Sequence, residues 1–163
     1  MLRLSKLTDY AVVVLVRLAE GQRASGDAVQ TSPGISAATG VPEPTVAKVL
    51  KALAASSLVL SQRGARGGYR LAKQLEGISI ADVIAAIDGP IALTACVDGQ
   101  QGCCEVEGLC AVKGRWDLVN DAIHQALSSI TLADMRDASV PPAFRIRAAM
   151  EPDAVVPNTV AAE

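Results

Sequence analysis

Aromatic side chains are nearly missing from this 163-residue chain: Tyr10, Tyr69, Trp116 and Phe144 are all of them. Proteins that grip single-stranded nucleic acid stack bases on aromatic faces, so that class is excluded. Duplex recognition, which works through Lys, Arg and helix ends, is untouched. Histidine is scarcer still, with His124 the only one. A cysteine nucleophile needs a base beside it, so the chain is read as a non-enzyme. Long apolar runs are missing too. The stretch Ala11–Val16 covers six residues between Asp9 and Arg17, against the roughly 20 a membrane span needs. With no targeting segment and no membrane partner, the expected compartment is the cytoplasm, where thiols stay reduced.

What is present is divided sharply by charge. The net charge of −2 hides a basic half and an acidic half. Residues 1–73 hold ten Lys/Arg against Asp9, Glu20, Asp27 and Glu43, a balance of +6. Residues 74–163 hold five Lys/Arg against thirteen Asp/Glu, a balance of −8. The first half can meet phosphate, and the second must do something else.

Apolar positions Tyr10, Ala11, Val14, Leu15 and Leu18 recur at helical spacing, which predicts a helix from Leu7 to Glu20 ended by Gly21. A polar run over Gln22–Ser32 follows. Pro33-Gly34 reads as a turn or helix start, and Ile35–Thr39 as a short helix stopped by Gly40. Pro44 suits the first turn of a further helix, Pro44–Ser56, that buries Val46, Val49, Leu50 and Leu53 and shows Thr45, Ala47, Lys48 and Lys51. Two short helices joined by a tight turn are a helix-turn-helix or an ordinary helical hairpin.

The next segment separates the two. Leu58–Gln62 and Gly68–Leu71 are strand candidates around Arg63-Gly64-Ala65-Arg66-Gly67. A hairpin so rich in Gly and Arg, directly after a recognition helix, reads as a wing rather than a solvated basic turn. Its glycines let the backbone approach the duplex. Arg63, Arg66 and Arg70 are the candidates for phosphate or minor-groove contact. Thr45, Lys48 and Lys51 are the candidates for the major groove.

Ser79 with Asp82 resembles a capping box before a helix Ile80–Ile87, which stops at Gly89-Pro90. From Arg115 to Ile130, Trp116, Val119, Ile123, Leu127 and Ile130 form a narrow apolar stripe. Such a stripe fits helix-to-helix pairing across a homodimer, or packing on its own domain. Dimerisation is favoured because a lone winged helix reads a half-site. Thr131 with Asp134 is a further capping signal, and the proline-punctuated residues 138–163 read as a disordered tail. The fold class is mainly α with a small β-wing: a winged helix-turn-helix domain (1–90), a cysteine-rich loop (91–114), a long dimerisation helix with a following short helix (115–137), and the tail.

Cys96, Cys103, Cys104 and Cys110 crowd into one Gly/Gln-rich loop. The spacing lacks the paired C-x2-C of a zinc ribbon. It leaves three readings: an iron–sulfur cluster, which soft thiolates favour, a zinc site, or a redox thiol site.

The opening Leu2-Arg3-Leu4-Ser5-Lys6-Leu7-Thr8-Asp9-Tyr10-Ala11 resembles that of the IscR/NsrR family of winged-helix regulators. So do the wing Arg63–Leu71, the three-cysteine loop after a helix ending near Gly89, Trp116 beyond the last cysteine, and Ile130-Thr131-Leu132. The match covers about residues 1–137. Gly89-Pro90-Ile91-Ala92-Leu93-Thr94 and Cys104-Glu105-Val106-Glu107 are similar to the subgroup regulating the SUF cluster-assembly operon.

The resemblance implies a double-stranded-DNA-binding homodimer holding an iron–sulfur cluster, 2Fe–2S in preference to 4Fe–4S, and repressing iron–sulfur assembly genes. The family cysteines map to Cys96, Cys104 and Cys110, leaving Cys103 spare. Lys113 stands where one branch has a ligating His, so that ligand is excluded. Asp9 matches the acidic ligand of the other branch, given by the partner subunit; its alternative role is to cap the first helix. Glu105 and Glu107 are read as solvated charges and His124 as a surface residue. The CymR branch of the family implies a second possibility, a cluster-free regulator controlled by thiol oxidation or a protein partner.

Overall fold

The computed structural model describes residues 3–26, 29–64, 66–94, 97, 110–112 and 114–137. Residues 95, 96, 98–109 and 113 of the cysteine loop, with Cys96, Cys103 and Cys104 among them, and the tail of residues 138–163 lie outside the described residues.

The first helix, α1 (Lys6–Ser25), begins at Ser5, whose hydroxyl accepts the Thr8 N–H and satisfies a donor the helix start leaves open. Ala11, Val14, Leu15 and Leu18 are fully buried, which makes α1 the rod around which the other elements pack. Gly21 does not end it. The helix continues to Ser25 and stops at Gly26, where φ is +68°. An interior glycine costs a helix about 1 kcal/mol. Here the space is used: the Gln30 side chain lies where a Cβ of residue 21 would stand.

Helix α2 (Ser32–Thr39) starts three residues before the expected Ile35, because Thr31 caps it and Pro33 fits its first turn. Gly40 closes it in the left-handed conformation. After Val41-Pro42, α3 (Glu43–Ala55) buries Val46, Val49, Leu50 and Leu53 against α1, as the spacing predicts. The antiparallel pair β1 (Val59–Gln62) and β2 (Gly68–Leu71) follows, with Val59 opposite Leu71 and Gln62 opposite Gly68. Leu58, expected as the first strand residue, stands just before β1: its carbonyl accepts from Ala72 N (3.0 Å), while its N–H closes the end of α3. Its N–H donates to Leu53 O (3.0 Å) and that of Ser57 to Ala54 O (3.1 Å), with Ser57 at φ +58°. This is a Schellman closure built without the usual glycine.

A 3-10 turn (Leu75–Gly77) leads into α4 (Ile80–Ile87), whose capping box is complete: Asp82 N donates to Ser79 Oγ and Ser79 N to Asp82 Oδ2. Ile80, Val83 and Ile84 are buried and Ile87 is half-buried. Helix α5 (Trp116–Ser128) stops short of the expected Ile130. Ile130 O instead accepts from Ile80 N, and Leu132 N donates to Ile78 O, both at 2.9 Å. This bridge hands the chain to α6 (Leu132–Arg136), which opens with a second complete capping box, Thr131 with Asp134, and buries Leu132 completely.

Candidate nucleic-acid interface and metal-ligand residues

The buried face of α3 fixes what its other face shows. With Val46, Val49 and Leu53 in the core, Lys48 and Lys51 are exposed and Thr45 is half-buried, three residues apart along one side. Beside this helix the hairpin carries Arg63 and Arg66, both exposed, at its tip. Ala65 between them lies outside the described residues. The tip glycines serve the hairpin itself as well as any approach to DNA: a Cβ at Gly67 would stand 2.5 Å from Gln62 O. Arg70 is placed differently. It pairs across from Leu60 at the base of the hairpin and is half-buried. There it lines a cavity of about 550 Å³ with Arg23, Lys73, Arg136 and Glu76.

The wing is tied to α1 by two glutamines that sequence reading passed over. Gln22 Oε1 accepts from Leu71 N at 2.9 Å. Gln30 Nε2 donates to Arg17 O (3.2 Å) and Leu18 O (3.1 Å). The Gln30 backbone meanwhile exchanges two hydrogen bonds with Tyr69, at 2.9 and 2.8 Å, so it borders β2 as a third strand would. The available signal was Gly21, a glycine inside an otherwise helical pattern, which marks a close approach.

At the other end of α1, the capping role considered for Asp9 is taken by Ser5. Asp9 is exposed in the first turn, and its carboxylate holds no hydrogen bond or ion pair among the described residues. Thr8, 2 % exposed, donates from Oγ1 to Asp88 Oδ2 at 2.6 Å and lies 3.1 Å from Ser5 Oγ. Partial burial raises the Asp88 pKa, but hydrogen bonds from Thr8 and from the Ser5 hydroxyl and amide outweigh it and hold the carboxyl below its ordinary range. Asp88 directly precedes Gly89-Pro90, so the start of the cysteine segment is fastened to the turn that carries Asp9. Buried Asn120 of α5 holds the same segment further on, accepting from Leu93 N at 3.2 Å.

Of the predicted thiol ligands, Cys110 is described and is half-buried with a free thiol. Cys96 and Cys104 lie outside the described residues, as do Lys113, Glu105 and Glu107. Among the described residues no three His, Cys, Asp or Glu side chains converge as a metal site. His124 is exposed on α5, its Nδ1 3.4 Å from Ser128 Oγ. The apolar stripe of α5 divides in two. Leu127 and Ile130 pack on the core, whereas Trp116 and Val119, with neighbouring Leu118, are 41, 43 and 76 % exposed.

No helix among the described residues is long and apolar enough to cross a membrane. An HTH-type transcriptional regulator of Mycobacterium tuberculosis is 36 % identical over 141 residues, 86 % of this chain and 84 % of the relative. Among solved structures, CymR, the global cysteine regulator of B. subtilis, superposes with a TM-score of 0.62 at 25 % identity, covering 86 % of this chain and all of CymR. IscR of T. potens superposes with a TM-score of 0.59 at 27 % identity, covering 93 and 94 % of the two chains. These relatives are DNA-binding transcription regulators and not enzymes, with the same winged-helix fold. The family model for Rrf2, described as an iron-dependent transcriptional regulator, matches residues 4–138, and the chain belongs to the Rrf2 family.

Proposed function

We propose that this regulator is a cytoplasmic homodimer that senses an iron–sulfur cluster, 2Fe–2S in type, and represses SUF cluster-assembly genes. The observation that carries the cluster reading is the uncommitted Asp9 carboxylate on the turn to which Asp88 fastens the start of the cysteine segment. A half-buried, unpaired Cys110 thiol and an exposed carboxylate are a donor set that fits such a group. Cys96, Cys104 and Cys110 would supply thiolates, and Asp9 of the partner subunit an oxygen. When bound, the cluster supplies an iron centre that is altered or lost as the sensed condition changes. The chain's own contribution is to hold these donors and to transmit their arrangement.

On the DNA side, Thr45, Lys48 and Lys51 would face base edges in the major groove. Arg63 and Arg66, with Arg70 at the hairpin base, would hold phosphates or enter the minor groove. The exposed Trp116–Val119 face of α5 would bury against the partner's, setting the spacing of the two reading heads. The division of the chain at residues 90, 114 and 137 follows these roles.

Anaerobic purification tests the reading. Expected are visible absorption with bound iron and labile sulfide, both lost in Cys104→Ala, and faster cluster loss with a changed spectrum in Asp9→Ala. Footprinting upstream of the neighbouring operon with apo and reconstituted protein then reports which form binds. A colourless protein without iron or sulfide would sink it. The likeness to CymR favours, in that event, a cluster-free regulator controlled by thiol oxidation or a protein partner.

A further inference from the structure

We infer that Gln30 is the residue that positions the wing, through a socket that Gly21 leaves open in α1. The inference rests on the wing's contact with duplex DNA proposed above. A two-stranded hairpin is marginal on its own and takes its direction from what it is tied to. Here the outer edge of β2 is bordered by Gln30, whose backbone pairs with Tyr69 in both directions. Gly68 permits that approach, since a Cβ there would stand 2.7 Å from Gln30 O.

Gln30 is in turn pinned by its side chain. Its amide nitrogen donates to two carbonyls of α1, Arg17 O and Leu18 O, about two turns before the helix ends. A Cβ on residue 21 would stand 2.0 Å from Gln30 Nε2 and 2.5 Å from its Cδ. The same residue is therefore a strand partner of the wing and a plug in the central helix. Displacing the plug leaves Gln22 to Leu71 as the described side-chain tie from α1 to β2.

Gly21→Ala isolates this function. The obstructed atoms are the far end of a flexible side chain, and alanine is the better helix former, so the helix stays while Gln30 is evicted. Gln30→Glu is the second variant, of the same shape but without the amide donor. The measurement is the affinity of full-length protein for a mixed-sequence DNA duplex across a salt series. Each phosphate contact contributes about 0.9 to the slope of log affinity against log salt.

Arg63→Ala/Arg66→Ala is expected to lower the slope by about 1.8. Gly21→Ala and Gln30→Glu are expected to lower it to a similar extent, and to lower it no further when combined with the arginine pair. Both variants forfeit the two Gln30 amide hydrogen bonds, so the unfolding midpoint is expected to fall by several degrees while the transition stays cooperative and the protein stays folded under the binding conditions. Unchanged slopes in Gly21→Ala and Gln30→Glu would overturn the inference, as would losses that add fully to those of the arginine pair. An arginine pair that leaves the slope unchanged would instead overturn the wing's contact with DNA, and the role of Gln30 with it.

Discussion

Replacing Thr8 by Val removes one hydroxyl and almost no volume, from a site 2 % exposed. That hydroxyl donates to Asp88 Oδ2 at 2.6 Å, across a sequence separation of 80 residues. A hydrogen bond to a charged group contributes about 1.5–3 kcal/mol. Asp88 is itself exposed, so water competes for its carboxylate and the expected loss lies near 1.5 kcal/mol. For a folded region of this size that lowers Tm by about 5–7 °C. The pH dependence identifies the cause. Asp88 titrates below its ordinary value of 3.8 in the folded protein. The stabilisation is therefore complete above that value and is lost as the pH falls through the depressed folded pKa. The gap between wild type and Thr8→Val, followed by circular dichroism, should hold from neutral pH to about 5 and narrow below 3.8. Thr8→Val made in an Asp88→Asn background should cost less than in the wild type. A gap that is the same in neutral and acidic buffer, or unaffected by Asp88→Asn, would refute the role assigned to this bond.

Two further outcomes follow from positions with a defined environment. Ser57 holds φ at +58°, where an L side chain is strained by roughly 1–2 kcal/mol, so Ser57→Gly should raise Tm by a few degrees; a fall in thermal unfolding would count against the Schellman closure. Val119 is 43 % exposed beside Trp116 and Leu118. Val119→Asp should leave the circular dichroism spectrum intact and weaken the proposed dimer about a hundredfold or more, because an unpaired charge would be buried in the joint. Analytical ultracentrifugation showing no change would remove this face of α5 from the interface.

The elements legible from sequence were those whose determinants are local. The apolar spacing of α3, the Ser79 and Thr131 capping boxes and the Gly/Arg hairpin are each set by residues close in sequence, and all appear in the structure. The misplacements came where a distant partner decides. Gly21 ends a helix by composition, but Gln30 fills the gap at its side and the helix goes on. Ile130 continues a helical stripe on paper, whereas its carbonyl is taken by Ile80 N and the helix is closed. The same holds for the candidate site. The exposed lysines of α3 were readable from period alone. Arg70, three residues past the tip by sequence, was not separable from Arg63 and Arg66 until the β1–β2 register put it at the hairpin base. The Thr8–Asp88 bond, with its 80-residue span, leaves no trace in any local pattern.

Two contacts that leave no local pattern, the Thr8–Asp88 bond and the Gln30 side chain beside Gly21, meet one helix, α1, and this bears on how a signal could travel. The N-terminal turn of α1 carries Asp9 and is bonded through Thr8 to the start of the cysteine segment. Its C-terminal half receives the wing through Gln22 and Gln30. Between the joints, Ala11, Val14, Leu15 and Leu18 are fully buried, and a close-packed helix moves as a unit rather than deforming along its length. A shift imposed at one joint therefore reaches the other as a displacement of the whole rod. Allosteric coupling between two sites is commonly about 1–3 kcal/mol, the same order as one charged hydrogen bond of the Thr8 kind. If the cysteine segment signals to the DNA-reading face through α1, as the proposed function requires, a single broken joint is enough to uncouple the two while both remain folded. Thr8→Val is then expected to keep its affinity for DNA and lose the difference between apo and cluster-loaded protein. A retained difference would refute this route through α1.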